Sequence, residues 1–362
     1  MHYICGIKLI YFYSYNSMSS RNIRFIFAAL SAVLFFNFNL SAQDRVKGAI
    51  ISFYNLENLF DTIDDPRTND AEFLPGGANR WTGSRYMEKL SNMATVISRI
   101  GSDVIPGGPA ILGVSEIENR SVLEDLIETP QLKNSGYEIV HYDSPDKRGV
   151  DVGLLYRKGA FEVVNSTSNR LTMPGRKDWF SRDQLVVSGK LDGEMIHVIV
   201  NHWPSRGAGP EYRAAAGMLS KQLSDSLKAI DPNAKIFIMG DLNDDPSDPS
   251  VMVHLGAKGK IKDARKSGLY NPYHKLFQDG IGSLAYRDAW NLFDQIIVSP
   301  VVVNDEDPTK WSLHSARIFN EQFLIQKEGQ YKGYPLRTFA GGAYLGGYSD
   351  HFPVYLILKK KM

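Results

Sequence analysis

"AKIFIMGDLNDDP", residues 234–246, places four apolar residues, Ile236, Phe237, Ile238 and Met239, directly before Gly240 and a cluster of acids and amides. A short apolar run containing β-branched and aromatic residues reads as a strand buried on both faces. Three aspartates follow at once, Asp241, Asp244 and Asp245. Folding alone gains nothing from gathering that charge at the mouth of a buried strand. Either the cluster is a solvated turn or it holds a cation.

The same arrangement recurs along the chain. An apolar run ends in a potential ligand or acid/base group at Asn55 after "IISFY", at Glu116 after "ILGVS", at His202 after "HVIVN", and at Asp241 with Asn243 after "IFIMG". Strands packed side by side in one direction would bring these ends to one rim of a sheet. Singly, each has a bland alternative: Asn55 as a turn cap, Glu116 as an edge carboxylate, His202 as a core histidine bonded to backbone. Two later pieces join them. "SDHFPVYLIL" sets Asp350 and His351 before the last strand, and "WNLFDQIIVS" starts another strand at Asp294. An aspartate aimed at a histidine nitrogen fixes its tautomer and raises its basicity, as a general base or a charge-stabilising imidazole requires. Oxygen ligands without cysteine favour Mg²⁺ or Mn²⁺ over Zn²⁺. Carboxylates, two histidines and several arginines are what hydrolysis of a phosphate ester needs.

The 362 residues, 43% hydrophobic and 22% charged, supply ample apolar material for one large α/β domain. The first 42 residues hold no acid and run from Arg21 and Arg24 through an apolar stretch to "LSAQ". That is the pattern of a secretory signal peptide cleaved after Ala42, which leaves residues 43–362 as the domain and implies export to the periplasm or medium. Met18 is a natural initiator, the preceding residues then being an over-extended start. The alternative, a retained membrane anchor, has a short apolar stretch for a span. Loss of Lys8, Arg21 and Arg24 takes 41 basic against 40 acidic residues to 38 against 40, a net charge of −2. No global basic field therefore advertises nucleic acid. The single cysteine, Cys5, lies in the removed segment, so neither a disulfide, a thiolate metal site nor a lipidated cysteine is expected in the exported protein. No membrane association is expected once the signal is gone, and no protein partner is evident.

Nine strands are expected, in "GAIISFYN", "AILGVSEI", "YEIVHY", "DVGLLYR", "QLVVSGKL", "MIHVIVNHW", "AKIFIMGD", "FDQIIVS" and "FPVYLIL". The periodicity predicts a helix over 84–100, with Tyr86, Leu90, Met93, Ala94, Ile97 and Ile100 on one face, Ser84 as N-cap and Gly101 as its stop. A second is predicted over 211–230, with Tyr212, Leu219, Leu223, Leu227 and Ile230 aligned. The stretch 304–347 is less regular and reads as a long insertion.

"YNLEN", "SEIEN", "NHWPSR", "GDLND", "FDQIIVS" and "SDHFPV", in this order, strongly resemble the endonuclease/exonuclease/phosphatase superfamily, the DNase I-like group, over about residues 47–360. The resemblance implies a four-layer α/β sandwich, two mixed β-sheets packed face to face with helices outside, and hydrolysis of phosphoesters with Mg²⁺ or Mn²⁺. It implies that Glu116 is the principal metal carboxylate, with Asn55 and Asp350 in or near the metal shell. Asp241 would orient or deprotonate water, with Asn243 as its partner on the phosphate. His202, and His351 paired with Asp294, would flank the scissile phosphate. Asp244, Asp245 and Asp248 are read as turn formers before Pro246 and Pro249. Where many nucleases of the group carry a substrate-facing tyrosine, this chain has "DKRGVDVGLLYR", which brings in Arg148; Arg182 and Arg206 are further candidates for phosphate contact, and a solvated loop arginine is the alternative for Arg148. "GGAYLGG" is no dinucleotide fingerprint, since no strand leads into it.

These features point to an exported phosphodiesterase acting on DNA or RNA, an endonuclease-type enzyme. The aromatic residues between Tyr270 and Tyr348, interleaved with Arg287, Arg317 and Arg337, would stack bases wherever they are not core. The alternative is a phosphatase or phospholipase C-like hydrolase of inositol phosphates or lipid head groups. A catalytically dead binding module is disfavoured because every expected acid, amide and histidine is present.

Overall fold

In a computed structural model of the chain, residues 45–304 and 306–362 are described. The expected signal segment lies outside the described residues. Val46–Met362 form one compact unit. Its strands are β1 (Val46–Leu59), β2 (Ile111–Ile117), β3 (Tyr137–His141), β4 (Asp151–Arg157), β5 (Phe161–Asn169), β6 (Gln184–Leu191), β7 (Glu194–His202), β8 (Ile236–Asp241), β9 (Ala257–Lys258), β10 (Leu269–Tyr270), β11 (Leu284–Tyr286), β12 (Ala289–Asn291), β13 (Asp294–Val298), β14 (Ser312–Ile318), β15 (Phe339–Ala340), β16 (Ala343–Tyr344) and β17 (Val354–Lys361). Its helices are α1 (Gly83–Arg99), α2 (Arg120–Ile127), α3 (Pro210–Ile230), α4 (Ile261–Ser267) and α5 (Tyr273–Gln278).

Two mixed sheets result, one ordered β14-β17-β1-β2-β4-β3 and the other β5-β6-β7-β8-β13-β10-β9. Side chains on a strand alternate between faces, and here both faces are covered. From β1, Ile51 and Phe53 enter the core between the sheets with Phe237 and Met239 of β8. Ile50 and Tyr54, one step out of phase, pack with Leu90, Met93 and Ile97 of α1. On β8, Ile236 and Ile238 pack with Ala215 and Ala216 of α3. The layers are therefore helix, sheet, sheet, helix, the sandwich that the resemblance implied. Double coverage explains why the central strands read as continuous apolar runs. Among the described residues no helix is long and apolar enough to cross a membrane.

Three expectations are corrected. Helix α1 starts at Gly83 and its cap is Thr82, whose hydroxyl accepts from Arg85 N; Ser84 lies inside the first turn. Helix α3 buries Ala216, Gly217, Ser220 and Ser224, while Leu219, Leu223 and Leu227 flank them and Ile230 is 86% exposed. Small residues face the sheet because the helix lies close to it. Finally, the stretch 304–347 is not wholly an insertion: β14 within it is the edge strand of the first sheet, paired antiparallel with β17.

Candidate active site

The sheet topology gathers the strand ends. β1 and β2 are adjacent and parallel, with Asn55 level with Ser115, the residue before Glu116. β7 and β8 are likewise adjacent and parallel, with His202 level with Asp241. β13 runs antiparallel to β8, so its first residue, Asp294, lies opposite Asp241. β17 runs antiparallel to β1 and starts with Val354 level with Phe53, which brings Asp350 and His351 to the same rim. Seven of the expected residues thus meet at one end of the sandwich, carried by both sheets.

Around Asp241 sits an acid/base group. His351 Nδ1 lies 2.7 Å from Asp294 Oδ2, and that same oxygen accepts from Ser283 Oγ at 2.5 Å. His351 Nε2 faces Asp241 Oδ2 at 3.9 Å. Burial opposes charge on His351, yet the carboxylates of Asp294 and Asp241 overcome it and hold its pKa well above the usual histidine value. Burial pushes the Asp241 carboxyl up to about 7; His351 pulls back, and Asp294 and Glu116 add to the rise. His202 is the opposite case. Burial, then Arg182 and Arg148, hold its pKa well below the usual value, so its ring is neutral. Its Nε2 lies 3.7 Å from both Glu116 Oε1 and Asp241 Oδ2. The two histidines therefore differ in kind, one a cation held by carboxylates and one a neutral ring. Asn243 is fixed beside them, its N–H donating to Asp241 Oδ1 at 2.9 Å and its side-chain amide to Trp203 O at 2.9 Å.

Beside this group lie the oxygen donors. Glu116 Oε2 accepts from Asn58 N at 3.0 Å, while Oε1 stands 3.7 Å from His202 Nε2 and 3.9 Å from Arg148 Nη2. Asp350 Oδ2 accepts from Arg337 Nη2 at 2.7 Å, and its Oδ1 stands 3.9 Å from His351 Nε2. One oxygen of each carboxylate is thus without a hydrogen bond among the described residues. Asn55 is more committed: Nδ2 donates to Asp241 Oδ2 at 3.1 Å and Oδ1 accepts from Glu57 N at 2.9 Å. It orients Asp241, and metal contact would use the second lone pair of Oδ1. Hard oxygens with no thiolate fit Mg²⁺ or Mn²⁺. Asp241, Asp294 and His351 also converge closely enough for a cation. The Asp294–His351 hydrogen bond takes up one of these atoms on each of its partners, and Asp241 Oδ2 accepts from Asn55 Nδ2.

The arginines separate. Arg148 is half-exposed beside Glu116 and Asn58, with its guanidinium open to a ligand. Arg182 is buried, donating to Asp146 Oδ2 and Trp203 O at 3.2 and 2.7 Å, and so fixes the carbonyl to which Asn243 also donates. Arg206 does not reach the site as a free cation. It is held by Asp244, Asp245 and Asp248 at 3.3, 3.0 and 2.7 Å. Those three aspartates build the turn, with Asp245 accepting from Leu292 N and Asp248 from Asp245 N.

Residues not singled out from the sequence complete the rim. Glu57 is buried beside Asp350, accepting from Arg337 Nε at 3.2 Å and Thr338 N at 2.7 Å. Burial, then Asp350, push its carboxyl up to about 7 against the pull of Lys89 and Arg337. Lys89 of α1 is buried 3.7 Å from Glu57 and donates to Thr338 Oγ1 at 2.7 Å and Tyr348 O at 2.5 Å. The only sequence signal was the acid inside "YNLEN". Contrary to expectation a short strand, β15, does lead into "GGAYLGG", which proves to be a hairpin: Gly341 and Gly342, with φ of 57° and 80°, turn β15 into β16.

Comparison with known proteins bears on this geometry. The model of the Endonuclease/Exonuclease/phosphatase family matches residues 50–360. No curated protein matches the chain. Among solved structures, an endonuclease/exonuclease/phosphatase family protein from Bacteroides thetaiotaomicron is similar at 17% identity and a TM-score of 0.53, over 88% of this chain and 98% of that one. The mannosyl-6-phosphatase Bt3783 of Bacteroides thetaiotaomicron VPI-5482 is similar at 16% identity and 0.52, over 86% and 99%. D. rerio TDP2, solved with a single-strand DNA product, is similar at 15% identity and 0.50, over 86% and 99%.

Proposed function

The chain belongs to the endonuclease/exonuclease/phosphatase family and is a phosphoester hydrolase, and from that premise we propose that it is an exported, Mg²⁺- or Mn²⁺-dependent phosphodiesterase cutting nucleic acid as an endonuclease. One observation carries the diester reading. Two clefts, of about 330 and 370 Å³, share Arg337 and Tyr331 in their linings, and Asp350 lines the second. A phosphate bound at Asp350 has room for a substituent on each side, as a diester needs. Export rests on the acid-free N-terminal 42 residues. The complex of D. rerio TDP2 with a DNA product is an instance of this fold working on nucleic acid.

Glu116 and Asp350, with the second lone pair of Asn55 Oδ1, would hold the cation. Bound there, it neutralises phosphoryl oxygens and the developing charge on the leaving group. Asp241, its carboxyl poised near neutrality, orients and deprotonates the attacking water. His351, kept cationic by Asp294, faces the negative charge that builds on the phosphoryl group, and neutral His202 donates a hydrogen bond to it. Asn243 holds the geometry of Asp241, and Arg148 approaches the phosphate from solvent.

A second reading has its own support. The third cleft is lined by Asp65, Glu118, Asp143, Asp146 and Asp151 against Arg67 and Lys147. An acidic flank repels a polyanion and favours a small phosphomonoester, as a phosphatase would take. A Mg²⁺ activity panel decides between the two: plasmid, single-stranded DNA, RNA, bis-p-nitrophenyl phosphate, inositol phosphates and hexose phosphates, each with and without EDTA. Cutting of closed circular DNA is expected; release of phosphate from monoesters alone would replace the endonuclease reading with the phosphatase one.

A further inference from the structure

Of the aromatic residues between Tyr270 and Tyr348, Tyr273 and Trp311 are buried core, but Tyr286 is 62%, Trp290 39% and Tyr331 40% exposed. The exposed rings gather beside the site. The hairpin β11–β12 is bound to the acid/base pair at its base, where Ser283 Oγ donates to Asp294 Oδ2 at 2.5 Å and Ser283 O accepts from Phe352 N at 2.7 Å. At its tip, Arg287 and Asp288 both adopt left-handed backbone, with φ of 49° and 62°. That is the geometry of a two-residue type I′ loop, whose twist matches that of the flanking strands. Tyr334 anchors the turn, its hydroxyl accepting from Asp288 N and donating to Asp288 Oδ1, each at 2.7 Å. Trp290 stacks on Phe352, the residue after His351, at 6.0 Å and 15°. An anchored hairpin thus fixes one wall of a cleft of about 370 Å³. Tyr286, Tyr331, Tyr334, Arg287, Arg337 and Asp350 line it.

We propose that this cleft is the subsite for one unstacked nucleobase, that of the nucleotide joined to the scissile phosphate. The assignment deepens the reading of the neighbouring site as a phosphodiesterase and rests on it. Three tyrosine rings in one cleft suit a flat π-system, and the polar groups between them suit its edge. The guanidinium of Arg287 lies over the Tyr286 ring at 5.2 Å, so a cation already sits on the aromatic wall. Arg337 lines the cleft and donates to Asp350, which sets the base one nucleotide's reach from the phosphate.

The test is calorimetric binding of thymidine 5′-phosphate and of 2-deoxyribose 5-phosphate to the full Mg²⁺-loaded protein. The two share sugar and phosphate and differ only in the base. The base should tighten binding by about ten-fold or more, as stacking of one base does. Tyr331→Ala should bring the ratio near one, and Tyr331→Phe should keep it, with melting curves confirming that both variants fold. Equal affinities in the wild type would overturn the assignment. So would tighter binding of mannose 6-phosphate than of thymidine 5′-phosphate that Tyr331→Ala abolishes, since the subsite would then hold a sugar. Because binding needs no turnover, a base preference in a protein that cuts no diester would refute the phosphodiesterase reading while leaving the subsite standing.

Discussion

If His351 carries charge to the transition state because Asp294 holds it cationic, the two residues must behave as one unit. The contact is short, 2.7 Å from Nδ1 to Oδ2, and Asp294 is fully buried. With charge centres roughly 4 Å apart, an effective dielectric of about 20 makes the attraction about 4 kcal/mol, enough to outweigh the burial that opposes the imidazolium. His351→Ala should lower turnover by on the order of 10² or more, roughly 3 kcal/mol of barrier. Asp294→Asn keeps the shape and removes the charge, and should damage the same step to a similar degree. Independent losses would multiply to on the order of 10⁴, whereas a single unit keeps the double variant near His351→Ala alone. The assay is turnover on a small diester at saturating Mg²⁺, so that metal affinity does not enter. A pH profile adds a second signature. Wild-type His351 stays protonated through neutral pH; in Asp294→Asn its pKa falls, and activity should drop as pH rises through that lower value. Full multiplication of the two losses would refute the pairing and make Asp294 a buried strand-start residue tied to Ser283.

Glu116→Ala should weaken Mg²⁺ or Mn²⁺ binding in a calorimetric titration with the fold intact; unchanged affinity would make Glu116 structural. Metal-free protein should lose stability as pH rises from about 5 to 8. Asp241 and Glu57, both pushed up to about 7, bind protons in the folded state that the unfolded chain has released above about pH 4, and His351, with its raised pKa, acts in the same direction above about 6.5, while His202, with its lowered pKa, offsets part of this below about 6.5. The total should be a few kcal/mol, read from urea midpoints across that range, and Mg²⁺ should flatten the slope. Arg206→Ala should cost about 1 kcal/mol in the same urea assay by removing the guanidinium shared by Asp245 and Asp248, while Asp244 keeps Arg213 and Ser250, with KM for a diester unchanged, whereas Arg148→Ala should raise KM with little change in stability. The N-terminus of the exported protein should be near Gln43; a full-length product would refute export.

Much of this site was legible because strand ends are legible. An apolar run that stops at an acid, amide or histidine marks both a buried strand and what stands at its mouth, and the parallel pairing of β1 with β2 and of β7 with β8 does the rest. What the sequence hid falls into two kinds. β5 and β14 are edge strands whose side chains are largely exposed or half-exposed, as in "FEVVNSTSN" and "SLHSARI", so neither shows the apolar run that betrays a central strand. Glu57, Lys89 and Arg337 belong to a network that closes across the fold: Arg337 meets a carboxylate 280 residues away and Lys89 a hydroxyl 249 away. No periodicity encodes such a pairing. Arg206 shows the converse error, a cation near a functional motif whose charge is used by the aspartates beside it.

The backbone gives an independent reason to place the chemistry at this rim. Four non-glycine residues there, Glu57, Asn58, Glu116 and Asn243, have φ between 46° and 57°. Such conformations cost of order 1–3 kcal/mol each and persist only where surrounding bonds over-determine them. Here each is bound or binds at the point of strain: Glu57 N to Asn55 Oδ1, Asn58 N to Glu116 Oε2, Asn243 N to Asp241 Oδ1. The register of β1 against β2 shifts between Asn55 and Leu59, where regular pairing would have continued. Regular strands send successive side chains to opposite faces, so an unbroken β1 and β2 would turn half of these groups into the apolar layers. The shift and the left-handed residues re-aim them to one side. A fold optimised only for stability would have put glycine at those positions or kept the strands regular. That polar side chains stand there instead, bonded to one another at the cost of strain, is what a site assembled for chemistry requires.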